Sequence, residues 1–568
     1  MSSAKNEASP IPCFSNPEVV LDDNISNHLF TLDQSVLDKP GLIDSKWDDR
    51  GNLKSEQILS FRELQTSVTR CIAYLQSRGI DKGQRVLLMV RPGLELIVIC
   101  FATFRIGAVP VVIDPGMGLS KFARAVKHSE PDAMIGIPAA QMVSRILPAS
   151  FKSVKRRILI KKRSFLRELE SVSLSGYLEI ERTEGEDLAA VLFTSGSTGF
   201  PKGVCYKHRM FQAQIRLLKE LFQFQPGEID LPMLPIFALF NPALGMTTVL
   251  PDMNPSRPAT VAPAKIVAAI DRYKVTNSFG SPVLWRKIGD YCNNLSRDLP
   301  TLKRILVAGA AAPTSLYRQF KFILRNGEMF SPYGATECLP VSVISGEEVI
   351  EDTAHLSDEG KGICVGQPLT EVQVRVMDPY AETLGEEVAR GDIGEIWVHG
   401  PSVTEEYDKL PDATADSKVS HEGQCWHRMG DMGYLDEAGR LWFCGRKVEM
   451  ISVGDQRFYT ECVEGTYMTH PDLRRCALIQ WKSEGLGTKI ALVVEPEIHR
   501  AAGSKKEQQS LAEDLHKHVK QLSSQVVLNA YFFQKKLPVD VRHNAKIHRL
   551  TLARTLSTKT PVTIPDSL

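Results

Sequence analysis

The stretch "LFTSGSTGFPKGV", Leu192–Val204, decides how the rest of the chain is read. Four hydroxyl side chains, Thr194, Ser195, Ser197 and Thr198, offer donors. Gly196, Gly199 and Gly203 let the backbone bend so that successive N–H groups can face an anion. Lys202 adds a positive charge. This is the composition of a phosphate-holding loop. It is not a Walker A loop, because that motif needs Ser or Thr after the lysine and Gly203 stands there. The apolar "AAVLF" before it predicts a strand, and "RMFQAQIRLLKEL" after it predicts a helix. A plain Ser/Gly surface loop is the alternative, and the tight patterning argues against it.

Outward from the loop, helices and strands alternate. "SFRELQTSVTRCIAYLQSRG" has Leu64, Val68, Cys71 and Leu75 at helical spacing, with Gly79 as its stop. "QRVLLMV" and "AVPVVID" predict buried strands, and "LELIVICFATFRIG" and "LSKFARAVKHS" predict helices. The helix "PAKIVAAIDRYK", the strands "VTNSFGS" and "RILVAGA" and the helix "SLYRQFKFIL" continue the alternation. Such alternation implies a parallel sheet covered on both faces. From about residue 364, "EVQVRVMD", "GEIWVHG" and "GRLWFCGR" are short alternating strands of a β-rich subdomain. A further unit follows, with strands "CALIQWK" and "KIALVVEP" and an amphipathic helix carrying Leu511, Leu515, Val519 and Leu522 on one face. The expected division is a loose segment 1–20, a large domain 21–446 that includes the β-rich subdomain 364–446, and a small C-terminal domain 447–568.

At 568 residues the chain is too long for one core. Its 68 basic and 67 acidic side chains balance, which gives no support to nucleic-acid binding. Eleven cysteines without a CxxC pair argue against a disulfide framework or zinc site and for a reducing, cytoplasmic setting. The longest apolar run, "LELIVICFATF", is too short to span a bilayer. The start "MSSAKNEASPIPCF" lacks a signal-peptide core. No GxSxG, HExxH or CxxC gives a hydrolase or zinc enzyme a foothold. "FKSVKRRILIKKRS", residues 151–164, holds seven Lys or Arg and no acid. It reads either as a strand with solvated basic flanks or as a docking patch for an acidic partner or a peripheral membrane contact.

"FTSGSTGFPKGV" resembles the signature loop of the adenylate-forming superfamily of acyl-CoA synthetases, luciferases and peptide-synthetase adenylation domains. The superfamily's other motifs resemble, in order, "ILVAGAAAP", "SPYGATE", "RMGDMGYLDEAGRLWFCGRK", "VGDQRFYTECVE" and "VRHNAKIHRLTLAR". The resemblance covers roughly residues 20 to 560. It implies a large α/β domain of layered αβαβα sheets with a β-rich subdomain, and a small mobile α+β C-terminal domain.

The resemblance also implies roles. The loop from Thr194 to Lys202 would hold the β- and γ-phosphates of ATP. Gly309, Ala310 and Ala311 would flank the adenine, and Tyr333 and Gly334 would lie against it. Thr336 would donate to the α-phosphate and Glu337 would hold Mg2+. Asp431 would accept from both ribose hydroxyls, with Tyr434 in the same motif. Arg446 would assist near the ribose or phosphates. Lys546 would bridge the incoming carboxylate and the α-phosphate. Two departures stand out. Ala545 replaces a usual glycine before the lysine, and Val448 occupies a hinge position usually Asp or Lys, where Lys447 and Glu449 are the candidate substitutes.

The second half-reaction decides the function. "IFALFNPALGM" carries no charge, which suits an acyl chain better than an amino acid, unless these residues are simply core. The segment through "PDMNPSRPA" resembles the olefin-biosynthesis β-lactone synthetases. That implies adenylation of a long-chain 2-alkyl-3-hydroxy acid and then attack by its own hydroxyl, giving a β-lactone and AMP. Phe237, Phe240, Asn241 and Met246 are the pocket candidates. The family context implies a thiolase, a reductase and a β-lactone decarboxylase as partner enzymes. The alternative is a long-chain fatty acyl-CoA ligase, which would use CoA; a third reading is an inactive acyl- or nucleotide-binding homologue.

Overall fold

The structure is a computed structural model that describes residues 22–161, 164–174, 180–194, 199–254, 257–483, 487–498, 502–523, 526–539 and 547–565. The predicted loose segment 1–20 lies outside them. The chain separates into two units. One comprises residues up to 256, 264–278 and 404–415, and the other 257–263, 279–403 and 416–568.

The first unit is built on a six-stranded sheet. Its order is Arg156–Leu159, Ala133–Gly136, Arg85–Met89, Val109–Ile113, Leu188–Thr194 and Lys202–Lys207. The first five run parallel and the last is antiparallel. The helix Leu94–Ile106 is apolar nearly all round and is correspondingly buried; Gly107 ends it in the left-handed region (φ 77°). The helix Phe61–Gln76 opens with a capping box in which Ser60 and Glu63 exchange hydrogen bonds. One sheet face packs Leu87, Val111 and Met134 against Phe122 and Val126 of the helix Leu119–Ser129, with Val143 and Leu147 from the next crossover. A second sheet in this unit pairs the hairpin Pro40–Trp47 and Leu53–Ser60 with Thr247–Leu250 and Ile229–Pro232. The strand Lys202–Lys207 and this hairpin were not expected from sequence.

In the second unit Arg304–Val307 runs parallel to Glu328–Ala335, and an antiparallel ladder continues outward. It passes through Cys338–Ser345, Ile363–Pro368, Leu441–Arg446, Gln424–Leu435, Gly394–His399 and Gln373–Met377. The β-rich region therefore begins before residue 364, at the hairpin centred on Thr336 and Glu337. Past Arg446 comes a four-stranded sheet of Leu473–Ser483, Gly487–Pro496, Ala530–Phe533 and Val562–Thr563. Alternate residues feed opposite faces. Leu478, Leu492 and Val494 pack on the helix Lys505–Leu522, while Ile479, Ala491 and Val493 pack toward Leu552 and Leu556. Leu511, Leu515 and Val519 of the long helix are buried as its periodicity predicts; Leu522, at the frayed end, is 38% exposed.

Candidate functional site

In the first unit the phosphate-type loop closes an antiparallel hairpin. Cα register pairs Thr194 with Lys202 and Phe193 with Gly203, so the loop's two ends face each other. Ser195, Gly196, Ser197 and Thr198 lie outside the described residues. Gly199 has φ 85°, a conformation L side chains rarely adopt. Gly203 is glycine for a different reason: a β-carbon there would lie 2.8 Å from Val191 Cγ1 and 2.9 Å from Phe193 Cζ.

A distant segment braces this base. The amide of Asp408 donates to the Gly203 carbonyl (2.7 Å), and Cys205 N–H donates to Glu406 O (3.2 Å). The Lys202 ammonium sits 4.7 Å from the Tyr407 ring centroid. Asp408, 2% exposed at its side chain, takes a two-pronged guanidinium contact from Arg85 at 2.7 and 2.9 Å. Burial pulls the Arg85 pKa down, but the Asp408 hydrogen bond and charge outweigh it, and Arg85 ends raised. Lys207 and Arg209 both reach Glu405. Neither Arg85, Tyr407 nor Asp408 carries a motif signal. Their only trace in the sequence is unlike charge far apart in the chain.

The acyl-type segment in the same unit forms the tight turn Pro235–Leu239 and the short helix Asn241–Leu244. Phe237 and Phe240 are half-buried, with centroids 6.3 Å apart. Phe240 meets Phe211 at 6.0 Å, and Phe211 stacks on Tyr206 at 4.7 Å. Asn241 is turned inward: its amide donates to Asp230 (2.9 Å) and Thr248 (2.8 Å). Met246 is buried beside Asn277. Of the four pocket candidates, Phe237 and Phe240 keep accessible surface, while Asn241 and Met246 fasten the segment to the core. Burial pushes the Asp230 carboxyl up to about 7, opposed by the Asn241 donor.

The second unit gathers the adenylate-type residues. Asp431 and Arg446 are cross-strand partners, with Nη1 of Arg446 2.8 Å from Oδ1 of Asp431. The Tyr333 hydroxyl donates to Oδ2 of Asp431 (2.6 Å). Burial raises the Tyr333 pKa well above the usual phenol value, and the Asp431 charge adds to it. Arg446 is raised chiefly by Asp431, against burial, with Tyr333 and Glu337 contributing further. Thr336 and Glu337 form the turn between the strands Glu328–Ala335 and Cys338–Ser345, which presents both side chains at a hairpin tip. Gly334 admits no β-carbon, which would lie 2.5 Å from the Cys338 carbonyl oxygen. Gly309 (φ 95°), Ala310 and Ala311 lie in the segment leading to the helix Thr314–Ile323. Tyr434 is engaged elsewhere: its ring stacks on Trp442 (5.8 Å) and its hydroxyl donates to Lys361 O (3.0 Å). Lys546 and Ala545 lie outside the described residues.

At the hinge, Val448 is 59% exposed and its neighbours carry the charge contacts. Lys447 pairs with buried Glu395 (3.0 Å), and Glu449 pairs with Arg549 (2.9 Å), which also takes Glu464 (2.6 Å).

For a divalent cation, the partly exposed turn position of Glu337 suits Mg2+, which is held through one or two carboxylates plus substrate phosphates and water. A second grouping, His470, Asp472 and Asp514, has carboxylate and imidazole atoms close together. It does not suit a metal. His470 Nδ1 accepts from the Asp472 amide (3.2 Å), so the neutral ring carries its proton on Nε2, which faces Asp514 at 3.3 Å and has no lone pair to give.

A protein-family model described as AMP-binding enzyme matches residues 34–408. The chain is 39% identical over 511 residues to the Olefin beta-lactone synthetase of Stenotrophomonas maltophilia, covering 87% of this chain and 90% of that one. It is likewise 39% identical over 513 residues to the Olefin beta-lactone synthetase of Xanthomonas campestris pv. campestris, with the same coverage. Among solved structures it resembles the amide bond synthetase McbA from Marinactinospora thermotolerans. The TM-score is 0.75 at 22% identity, over 94% of this chain and 99% of the other, a likeness of fold.

Proposed function

The chain belongs to the AMP-binding enzyme family, and from that premise we propose that it is an AMP-forming ligase making β-lactones from long-chain 2-alkyl-3-hydroxy acids. The observation that carries this reading is the likeness, over 87% of the chain, to proteins named Olefin beta-lactone synthetase. The uncharged, Phe-lined turn around residues 237–240 supports an acyl substrate.

In the first half-reaction a carboxylate oxygen of the acid attacks the α-phosphorus of ATP, and pyrophosphate leaves with the bonding pair. The two reactants are both anions, so the residues' task is to hold them together and offset charge. Lys202 and the loop amides would hold the β- and γ-phosphates. Asp431 would accept from the ribose hydroxyls, and Tyr333 would lie against adenine. Thr336 would donate to the α-phosphate, and Lys546 would meet the charge that builds on it. Arg446 would hold Asp431 in place. Mg2+, held by Glu337, would supply charge compensation on the phosphates.

In the second half-reaction the substrate's β-hydroxyl oxygen attacks the acyl carbon. Its proton departs, the four-membered ring closes and AMP leaves. The mixed anhydride drives formation of the strained ring, and an internal nucleophile needs no CoA. An enzyme set that condenses acyl chains, reduces the product and decarboxylates the lactone would surround this step.

The test supplies the purified protein with a synthetic 2-alkyl-3-hydroxy acid, ATP and Mg2+ without CoA. β-Lactone, AMP and pyrophosphate in equal amounts are expected. A thioester formed only when CoA is added, with no lactone in its absence, would overturn the reading in favour of a CoA ligase.

A further inference from the structure

In the first unit, the helix Pro138–Ile146 leaves Pro138, Ala139, Met142, Arg145 and Ile146 exposed at helical spacing. Met142 is 58% and Ile146 64% exposed, and exposed Pro148 and Ala149 extend the apolar surface. The following strand, Arg156–Leu159, is the outer edge of the six-stranded sheet. Its register pairs Arg157 with Met134, whose side chain shares a core with Val143 and Leu147 from the same crossover. Arg157, and Leu159 two residues on, therefore project on the sheet face that this helix covers. Gln141 ties the two elements, donating to Ile158 O at 2.9 Å. Leu159 is 40% exposed. Met142 and Ile146 thus form an exposed helix face, and Leu159 is exposed on the strand tied to that helix.

The exposed charges of this segment have a single sign. Arg145, Lys152, Lys155, Arg157 and Lys161 are all exposed, and residues 138–161 contain no Asp or Glu. Among the described residues, no ion pair is drawn to any of these five. The nearest acids along the chain, Glu168 and Glu170, come on the next helix. Exposed aliphatic side chains in a segment whose exposed charges are all cationic, without aromatics to stack on bases and without acids to complement a mixed protein surface, match an anionic lipid surface. The cations meet headgroups and the aliphatic tips enter the acyl boundary. We propose that this face is a peripheral docking site for an anionic bilayer. It goes beyond the assignment of the reaction, and gives the chain direct access to acids that partition into membranes.

The experiment is vesicle co-sedimentation, read without turnover, so its outcome is independent of the catalytic assignment. Wild-type protein should pellet with phosphatidylcholine–phosphatidylglycerol vesicles, not with phosphatidylcholine alone, and less as salt rises. The triple variant Lys152→Gln/Lys155→Gln/Lys161→Gln should lose on the order of a hundredfold in partitioning. Met142→Ser/Ile146→Ser should lose roughly tenfold. Both sets change exposed side chains, and unchanged thermal melts would certify the fold. Failure of wild type to enrich on anionic vesicles, or equal binding by the variants, overturns the proposal. So does the contrary result that vesicles bind nothing while the same substitutions alter the mass of a complex with a purified lactone- or acid-processing enzyme.

Discussion

The hydroxyl of Tyr333 donates to Oδ2 of Asp431 at 2.6 Å, while Arg446 holds Oδ1 from the neighbouring strand. Both oxygens proposed to receive ribose hydroxyls are thus already engaged. Tyr333→Phe keeps the ring but removes the competing donor. It should lower stability by about 1–2 kcal/mol, because a mostly buried oxygen loses its partner. KM for ATP should stay level or fall. Asp431→Asn, which loses the charge, should raise KM for ATP by roughly tenfold to a hundredfold. Pyrophosphate release against ATP concentration distinguishes the two. A large KM increase in Tyr333→Phe would mean that the hydroxyl itself binds nucleotide.

Lys202 over the Tyr407 ring defines a second relationship. An ammonium above an aromatic face is worth about 0.5–1 kcal/mol at a partly exposed position. Tyr407→Leu should therefore raise KM for ATP roughly twofold to fivefold with kcat unchanged, by loosening where the ammonium sits. Lys202→Ala should cost more, since it deletes the charge itself. Equal effects from the two variants would refute a positioning role for Tyr407.

Arg85 and Asp408 carry the brace under the loop. Asp408 is nearly inaccessible and Arg85 only 20% exposed, so removing one partner strands a charge. Asp408→Ala should destabilise the first unit by about 3 kcal/mol, visible as a lower first transition in denaturant. Exposed pairs such as Arg62 with Asp38 serve as the control, because Arg62→Ala should change almost nothing.

Much of the fold was legible because its signals are local. The alternation of buried strands with helices such as Leu94–Ile106 and Leu119–Ser129 follows from periodicity and glycine stops. The strand Lys202–Lys207 was not legible, since "KGVCYK" is too short and mixed to announce itself and forms only by pairing with Leu188–Thr194. The hairpin Leu53–Ser60 was hidden for the opposite reason: it is an exposed edge with no alternating pattern. In the candidate site, Tyr333, Asp431 and Arg446 were found through motifs and do converge. Tyr434 shares a motif with Asp431, yet its ring packs on Trp442. A motif fixes neighbourhood in sequence, not which face of a strand a side chain takes. Arg85, Tyr407 and Asp408 were invisible because a long-range contact leaves no spacing to read.

Asp230 links pH to the integrity of the acyl-type segment. Its carboxyl accepts from Asn241 inside the core, and burial raises its pKa from 3.8 to about 7. In the unfolded chain the same carboxyl loses its proton near pH 4. Between these values the folded protein holds a proton that the unfolded chain has released, so stability falls as pH rises through that window and levels off above it. A shift of about three units corresponds to roughly 4 kcal/mol, as an upper bound for one group. Asp230→Asn is neutral throughout and should abolish this slope, gaining on the wild type from pH 4 to 7. Carboxylates lowered by ion pairs, such as Glu186 beside Lys207 and Arg209, act with the opposite sign, so the readout must be the difference between variant and wild type. Urea unfolding of both proteins at intervals across this range measures it. Parallel curves would show that Asp230 is ionised in the folded protein at low pH and that its burial is better compensated than the Asn241 contact alone provides.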